Sequence, residues 1–245
     1  CDTEVLLHAC RREGAGVLRE INGMFAFAFC DLRKRTLLLA RDRFGQKPLY
    51  LFEEDGMIAF ASELSALRCL PQCPTELDPD AVRQFLAFQY VPDPACILCG
   101  VRKLPPGTFV EIDLDHPHLP EPRAYWGVPA GGDRFFAGTF DEAAEELRAR
   151  VVAAVRHRLV ADVPLGAFLS GGLDSACILA AMREAGAEDV RAFTIGFDNP
   201  EYDETEQAAR TSAHVGATHA CRTVDPSDFA HVRTLASHTS EPFAD

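Results

Sequence analysis

Val163-Pro164-Leu165-Gly166-Ala167-Phe168-Leu169-Ser170-Gly171-Gly172-Leu173-Asp174-Ser175 runs from an apolar, strand-like segment straight into Ser-Gly-Gly-Leu-Asp-Ser, and a helical pattern follows at once. Two adjacent glycines let a backbone approach a ligand closely and allow positive φ. The N–H groups of such a turn, with the start of the helix behind it, form an anion site. Ser170 and Ser175 add hydroxyl donors. Asp174 would repel a phosphate that touched it, but it suits a Mg²⁺ that in turn holds phosphates. The loop is not of the Walker type, because Gly-Lys-Ser/Thr occurs nowhere in the chain. The six positions therefore read as a nucleotide-phosphate loop rather than a plain turn.

The pattern around this loop is an alternation of strand and helix. Thr139 is placed to cap a helix over 140–161, with Asp141 and Glu142 at its positive end. Strands are expected at 164–169, 190–197 and 218–224, and helices at 175–185, 204–215 and 225–238. That order predicts a doubly wound parallel sheet. Glu201-Tyr202-Asp203-Glu204 reads as the cap of the 204–215 helix, with a substrate role as the alternative. Residues 116–138, rich in Pro and Gly, read as a linker in which Trp126 is an anchor.

Residues 1–115 differ. A short amphipathic helix is expected over 3–13. Hairpin strands follow near 24–29 and 36–40, then at 48–52 and 57–61 around Asp55-Gly56, with a helix at 78–88 and a strand after Pro105-Pro106-Gly107. This is an antiparallel α+β pattern.

The 24 Lys plus Arg stand against 37 Asp plus Glu, and a net charge of −13 argues against nucleic-acid or anionic-membrane partners. No apolar run approaches the roughly 20 residues of a membrane span. Nine cysteines without a secretory signal read as free thiols in a cytoplasmic setting. Cys69, Cys73, Cys96 and Cys99 have spacings compatible with zinc, but small buried thiols are the simpler reading. His214, His219, His231 and His238 sit in no triad-like motif.

With these residues in view, the loop at 170–175 resembles the pyrophosphate loop of the ATP pyrophosphatases. Asp2-Thr3-Glu4-Val5-Leu6-Leu7, Asn22-Gly23-Met24-Phe25-Ala26-Phe27-Ala28 and Ala40-Arg41-Asp42-Arg43-Phe44-Gly45-Gln46-Lys47-Pro48-Leu49-Tyr50 resemble the class II glutamine amidotransferase domain of glutamine-hydrolysing asparagine synthetases. Lys103-Leu104-Pro105-Pro106-Gly107, Phe193-Thr194-Ile195-Gly196-Phe197 and Glu241-Pro242-Phe243-Ala244-Asp245 fit the same family.

The resemblance implies two domains. Residues 1–115 would be part of an Ntn-hydrolase-like α+β glutaminase with antiparallel sheets, 116–138 a linker, and 139–245 part of an α/β parallel-sheet domain of the ATP pyrophosphatase (adenine nucleotide α-hydrolase) type. It also implies ATP-dependent adenylation of the aspartate side chain, with release of pyrophosphate, and amidation by ammonia taken from glutamine. Ser170, Gly171, Gly172, Asp174 and Ser175 would hold ATP pyrophosphate, with Asp174 on Mg²⁺. Phe168 and Ile195 would line the adenosine pocket, and Asp2 would pair with the α-amino group of glutamine. The implied partners are small molecules: glutamine, ATP, and aspartate or another carboxylate such as a sugar, peptide or β-lactam precursor. A homodimer is open as the assembly. The alternatives are a non-catalytic ATP-binding remnant and a stand-alone ATP pyrophosphatase.

The family's nucleophile is an N-terminal Cys followed by Gly. Cys1 precedes Asp2-Thr3-Glu4 instead, so it is not favoured, and no catalytic residue is assigned within the chain. The family's Arg and Asn-Gly-Glu glutamine segments do not precede Asp2, and its second acidic, Gly-rich loop and Lys do not follow Asp245. The expectation is a partial chain, inactive by itself.

Overall fold

In the computed structural model, which describes residues 1–129, 131, 135–224, 234, 236 and 238–244, contacts divide the chain into two units. One is residues 1–130 with 233–245, the other residues 131–232.

The first unit begins with α1 (Asp2–Glu13) and a 3₁₀ helix (Gly14–Arg19). The strands β1 (Ala26–Asp31) and β2 (Thr36–Arg41) then form a hairpin whose turn is tied by Asp31 Oδ1, which accepts the N–H groups of Arg33 and Lys34. A second hairpin joins β3 (Tyr50–Glu54) to β4 (Met57–Ala61). Asp55 and Gly56 both take positive φ, 50° and 75°, the geometry that matches strand twist in a two-residue turn. The short α2 (Leu64–Leu67) and α3 (Pro79–Phe88) follow, the latter capped by Asp78 with Pro79 in its first position. Next come β5 (Val101–Lys103), β6 (Thr108–Asp113) and β7 (Arg123–Ala124).

These strands make two sheets, β1-β2-β6-β7 and β4-β3-β5, antiparallel throughout. Parity along the strands shows how the sheets are covered. Leu39 of β2, Val110 and Ile112 of β6 and Leu51 of β3 share one buried cluster between the sheets. Tyr50 and Phe52, on the opposite face of β3, join Leu64, Leu67 and Cys96 in a second cluster. Ala40 of β2 joins Leu18 and Tyr125 in a third. Each sheet is therefore apolar on both faces, which is why β3 reads Tyr-Leu-Phe without a polar break. Trp126 packs against Phe44 with ring centroids 4.9 Å apart and the rings tilted by 59°. Gly107 lies below it at φ 66°, where a Cβ would sit 2.6 Å from the Trp126 carbonyl oxygen.

The second unit contains α4 (Phe140–Arg158), β8 (Ala167–Phe168), α5 (Leu173–Glu184), β9 (Arg191–Phe197), α6 (Thr205–Val215) and β10 (Thr218–Val224). Thr139 and Glu142 form a reciprocal capping box at the start of α4. The sheet is parallel in the order β10-β9-β8. Ala192, Thr194 and Gly196 of β9 are buried toward the helices, whereas Phe193, Ile195 and Phe197 are roughly half exposed. Among the described residues, all three helices feed one cluster, through Val152, Val155, Leu179, Met182 and Ala208. Among the described residues the helices cover one face of this sheet, so the doubly wound expectation is met there on that face, and β9 alternates as a one-sided strand does. The predicted strand 164–169 contracts to two residues. The helix predicted at 225–238 lies largely outside the described residues.

Candidate functional site

The loop 170–175 leaves the C-terminal end of β8 and enters α5. Its upstream side is fixed by strand pairing and by one buried hydroxyl. Leu169 N–H donates to Phe193 O (2.8 Å), and the Thr194 hydroxyl donates to Leu169 O (2.7 Å). His219 Nε2 lies 2.7 Å from the same Thr194 oxygen, which is then free to accept from it.

Three consecutive backbone donors turn inward. Ser170 N–H donates to Ser175 Oγ (3.2 Å), Gly171 N–H to Glu204 Oε2 (2.9 Å) and Gly172 N–H to Ser170 Oγ (3.2 Å). The two serine hydroxyls are 2.9 Å apart. Gly172 is the N-cap of α5 and brings no side-chain cap, so the positive end of the helix meets the loop directly. Asp174 stands in its first turn.

Positive φ plays no part here, contrary to the reading of the Gly pair. Gly172 has φ −79°, and Gly171 is likewise outside the left-handed region. What glycine permits here is a close approach. A Cβ on Gly171 would come within 3.2 Å of Glu204 Cβ and Cδ.

A cavity of about 270 Å³ opens beside the loop, lined by Phe168, Ser170, Phe193, Ile195, Tyr202 and Glu204 among others. The structure therefore brings Phe168, Ser170 and Ile195 together, with Gly171, Gly172, Asp174 and Ser175 adjoining. Asp203, next to Glu204, accepts from the Thr205 hydroxyl (2.8 Å) and from the N–H groups of Thr205 and Phe197. The Thr205 hydroxyl, ahead of the backbone donors, holds its carboxyl below the usual carboxylate range.

Asp2 lies in the other unit. It occupies the first turn of α1 and accepts the Thr3 N–H. It borders a separate cavity of about 900 Å³ whose wall includes Leu6, Asn22, Phe25, Phe27 and Lys47. Cys1 is exposed, with its amine 3.6 Å from Glu4.

The cysteine quartet divides by burial. Cys73 and Cys96 are buried in one apolar cluster, while Cys69 is exposed. Burial, with the Glu241 carboxylate adding to it and the Leu98 backbone hydrogen bond opposing it, pushes the Cys96 thiol up to about 12. Among the described residues no group of three His, Cys, Asp or Glu side chains is arranged for a metal.

Two buried constellations escaped the sequence reading. Asp42, 1% exposed, accepts four backbone N–H groups, from Phe25, Phe44, Gln46 and Lys47, at 3.0–3.2 Å. Its neighbour Arg41 donates to the carbonyls of Lys47, Leu104 and Gly45 and to Asp93 Oδ2. Together they shape the loop that carries Lys47 to the larger cavity. The second is Glu241, which takes Lys103 Nζ (2.8 Å), Tyr50 OH (3.1 Å) and Ile97 N–H (2.7 Å). Burial and the Glu241 carboxylate together push the Tyr50 phenol upward. A charged pair directly after the apolar 36–40 run was the available hint for Arg41 and Asp42. The Glu241 contact had no local signal.

Comparison with known proteins finds two family matches in succession along the chain. The glutamine amidotransferase domain family matches residues 1–126, and the asparagine synthase family matches residues 146–245. Glutamine-hydrolysing asparagine synthetase 1 of Bacillus subtilis is 30% identical over 256 aligned residues, covering 100% of this chain and 38% of the relative. A putative glutamine-hydrolysing asparagine synthetase of Mycobacterium bovis is 34% identical over 249, with the same coverages. The chain thus spans 38% of the length of these curated relatives. Among solved structures, a glutamine-dependent NAD+ synthetase of Acinetobacter baumannii aligns with 98% of this chain and 58% of its own, at 16% identity and a TM-score of 0.34, too slight a likeness to argue from. The chain belongs to the glutamine-hydrolysing asparagine synthetase family, through a glutamine amidotransferase domain in its first half and an asparagine synthase domain in its second.

Proposed function

We propose that the protein carrying this chain makes asparagine from aspartate, ATP and glutamine. The side-chain carboxylate of aspartate attacks the α-phosphorus of ATP, and pyrophosphate leaves. Ammonia released from glutamine then attacks the acyl carbon of the adenylate, and AMP leaves. The observation that carries this reading is the loop 170–175, whose three consecutive N–H groups and two hydroxyls crowd the uncapped N-terminus of α5. Such donors suit a pyrophosphate.

In this reading Ser170, Gly171, Gly172 and Ser175 bind the pyrophosphate, and Phe168 and Ile195 border the adenosine. Asp174 holds Mg²⁺. One protein carboxylate with phosphate oxygens is a common Mg²⁺ set, which fits a site without three acidic or imidazole ligands. The ion would neutralise charge that builds on the departing phosphates. Asp2 pairs with the α-ammonium of glutamine at the larger cavity. In this reading the first unit belongs to an Ntn-hydrolase type, which its antiparallel sheets support. The second unit belongs, in the same reading, to an ATP pyrophosphatase type, supported by its parallel sheet and βα loop, in a cytoplasmic enzyme acting on small molecules.

The test is aspartate-dependent ATP–pyrophosphate exchange by the protein that carries this chain, with glutamine-dependent ammonia release measured in parallel. Asp174→Ala should lower exchange at least 100-fold, on the order of what one preorganised charge contributes. Asp2→Ala should raise the KM for glutamine while exchange persists. Exchange indifferent to Asp174 and Ser170 would refute the assignment of the loop. Exchange driven by a different carboxylate would keep the loop and remove aspartate.

A further inference from the structure

Glu204 is the one acid among the three partners of the loop's N–H groups. The other two partners are serine hydroxyls, which can turn toward an incoming ligand. Glu204 is the N-cap residue of α6 yet makes no side-chain cap to its own helix. Asp203 does that work, through the Thr205 N–H and hydroxyl. The Glu204 carboxylate instead reaches back 33 residues to Gly171 N–H. Its side chain would lie within 3.2 Å of a Cβ on Gly171, a tight approach. It also borders the cavity beside Ser170, so a ligand entering there meets it.

We infer that Glu204 is a built-in anion that occupies the pyrophosphate position in the free protein and is displaced when the nucleotide enters. The inference rests on the reading of 170–175 as the pyrophosphate loop. Gly171 N–H has one hydrogen and exchanges one anionic acceptor for another. Like charges cannot share that donor, so the carboxylate must swing away. Because Glu204 is the N-cap of α6, its departure is felt by its neighbour Asp203 and by Tyr202, which is on the wall of the same cavity. Nucleotide entry and the placement of 202–204 are therefore coupled. The charge of Glu204 opposes the first and favours the free state.

The experiment is titration of magnesium pyrophosphate into the 245-residue chain at low ionic strength, using the parent, Glu204→Gln and Glu204→Ala. Gln keeps an oxygen for Gly171 N–H and removes the charge. Both variants should bind pyrophosphate about tenfold more tightly, a typical worth for one charge-assisted hydrogen bond that water partly screens. Amide exchange at Gly171 should accelerate in Glu204→Ala without ligand. Unchanged or weaker pyrophosphate binding in both variants, with unfolding midpoints at the parent value, would overturn the inference, since Glu204 would then be inert or itself a ligand. Unchanged Gly171 exchange in Glu204→Ala would overturn it without reference to any ligand. If the parent and both variants alike bind no pyrophosphate, the loop assignment fails and the inference falls with it.

Discussion

Asp42 shows how one buried carboxylate can organise a loop. Four backbone donors converge on it and lose their shared acceptor once the side chain is gone. Asp42→Ala should destabilise the first unit by about 3–5 kcal/mol, read by urea unfolding, and Asp42→Asn by less, because one oxygen remains. Cys96 gives the corresponding pH effect. Its folded pKa is about 12 against an ordinary 9.0. Folding therefore disfavours the thiolate. The stability linked to this group is complete below about pH 9 and is lost as pH rises from there toward 12. A thiol reagent at pH 8 should label exposed Cys30 quickly and Cys96 only on unfolding. Equal labelling rates would contradict the burial.

At the scale of elements, what was legible in the sequence is what is local. Asp55-Gly56 announces its turn because those two residue types tolerate positive φ, and Gly56→Ala at φ 75° should cost about 1 kcal/mol by thermal unfolding. Thr139 and Glu142 announce the start of α4 through their spacing, and Thr139→Ala should cost a similar amount. β10 could be read to its ends from its apolar and β-branched pattern. β8 could not, because a strand's length depends on a partner far along the chain, and β9 pairs with only two of its residues. The loop 170–175 was legible as a donor-rich turn at a helix start. Its occupant was not, because Glu204 arrives from another helix. The Gly pair misled in one respect, since its visible property, freedom of φ, is not the one the fold uses.

At the scale of the whole molecule, the chain leaves the first unit after residue 130 and returns to it at 233. The return brings Glu241 to Lys103, whose side chain is 7% exposed. A chain stopped at residue 232 would keep that ammonium buried, with Asp93 Oδ1 at 3.6 Å its remaining carboxylate neighbour. The expected loss is about 3–5 kcal/mol. Trp126 is the only tryptophan and belongs to the first unit, so its fluorescence reports that unit alone during urea unfolding. An unchanged Trp126 midpoint in the shortened chain would show that Glu241 contributes nothing.

Synthesis on the ribosome gives the same contact a timing. Lys103 is translated 138 residues before Glu241. At roughly 5–20 residues per second, that interval is about 7–28 s. Throughout it the nascent first unit holds a core cation whose nearer carboxylate, Glu241, has not yet been made, with Asp93 at 3.6 Å in its place. Completion of this early domain thus waits until the second unit has been translated, and ribosome-stalled chains released just short of Glu241 should be cleaved by protease faster than those released just past it.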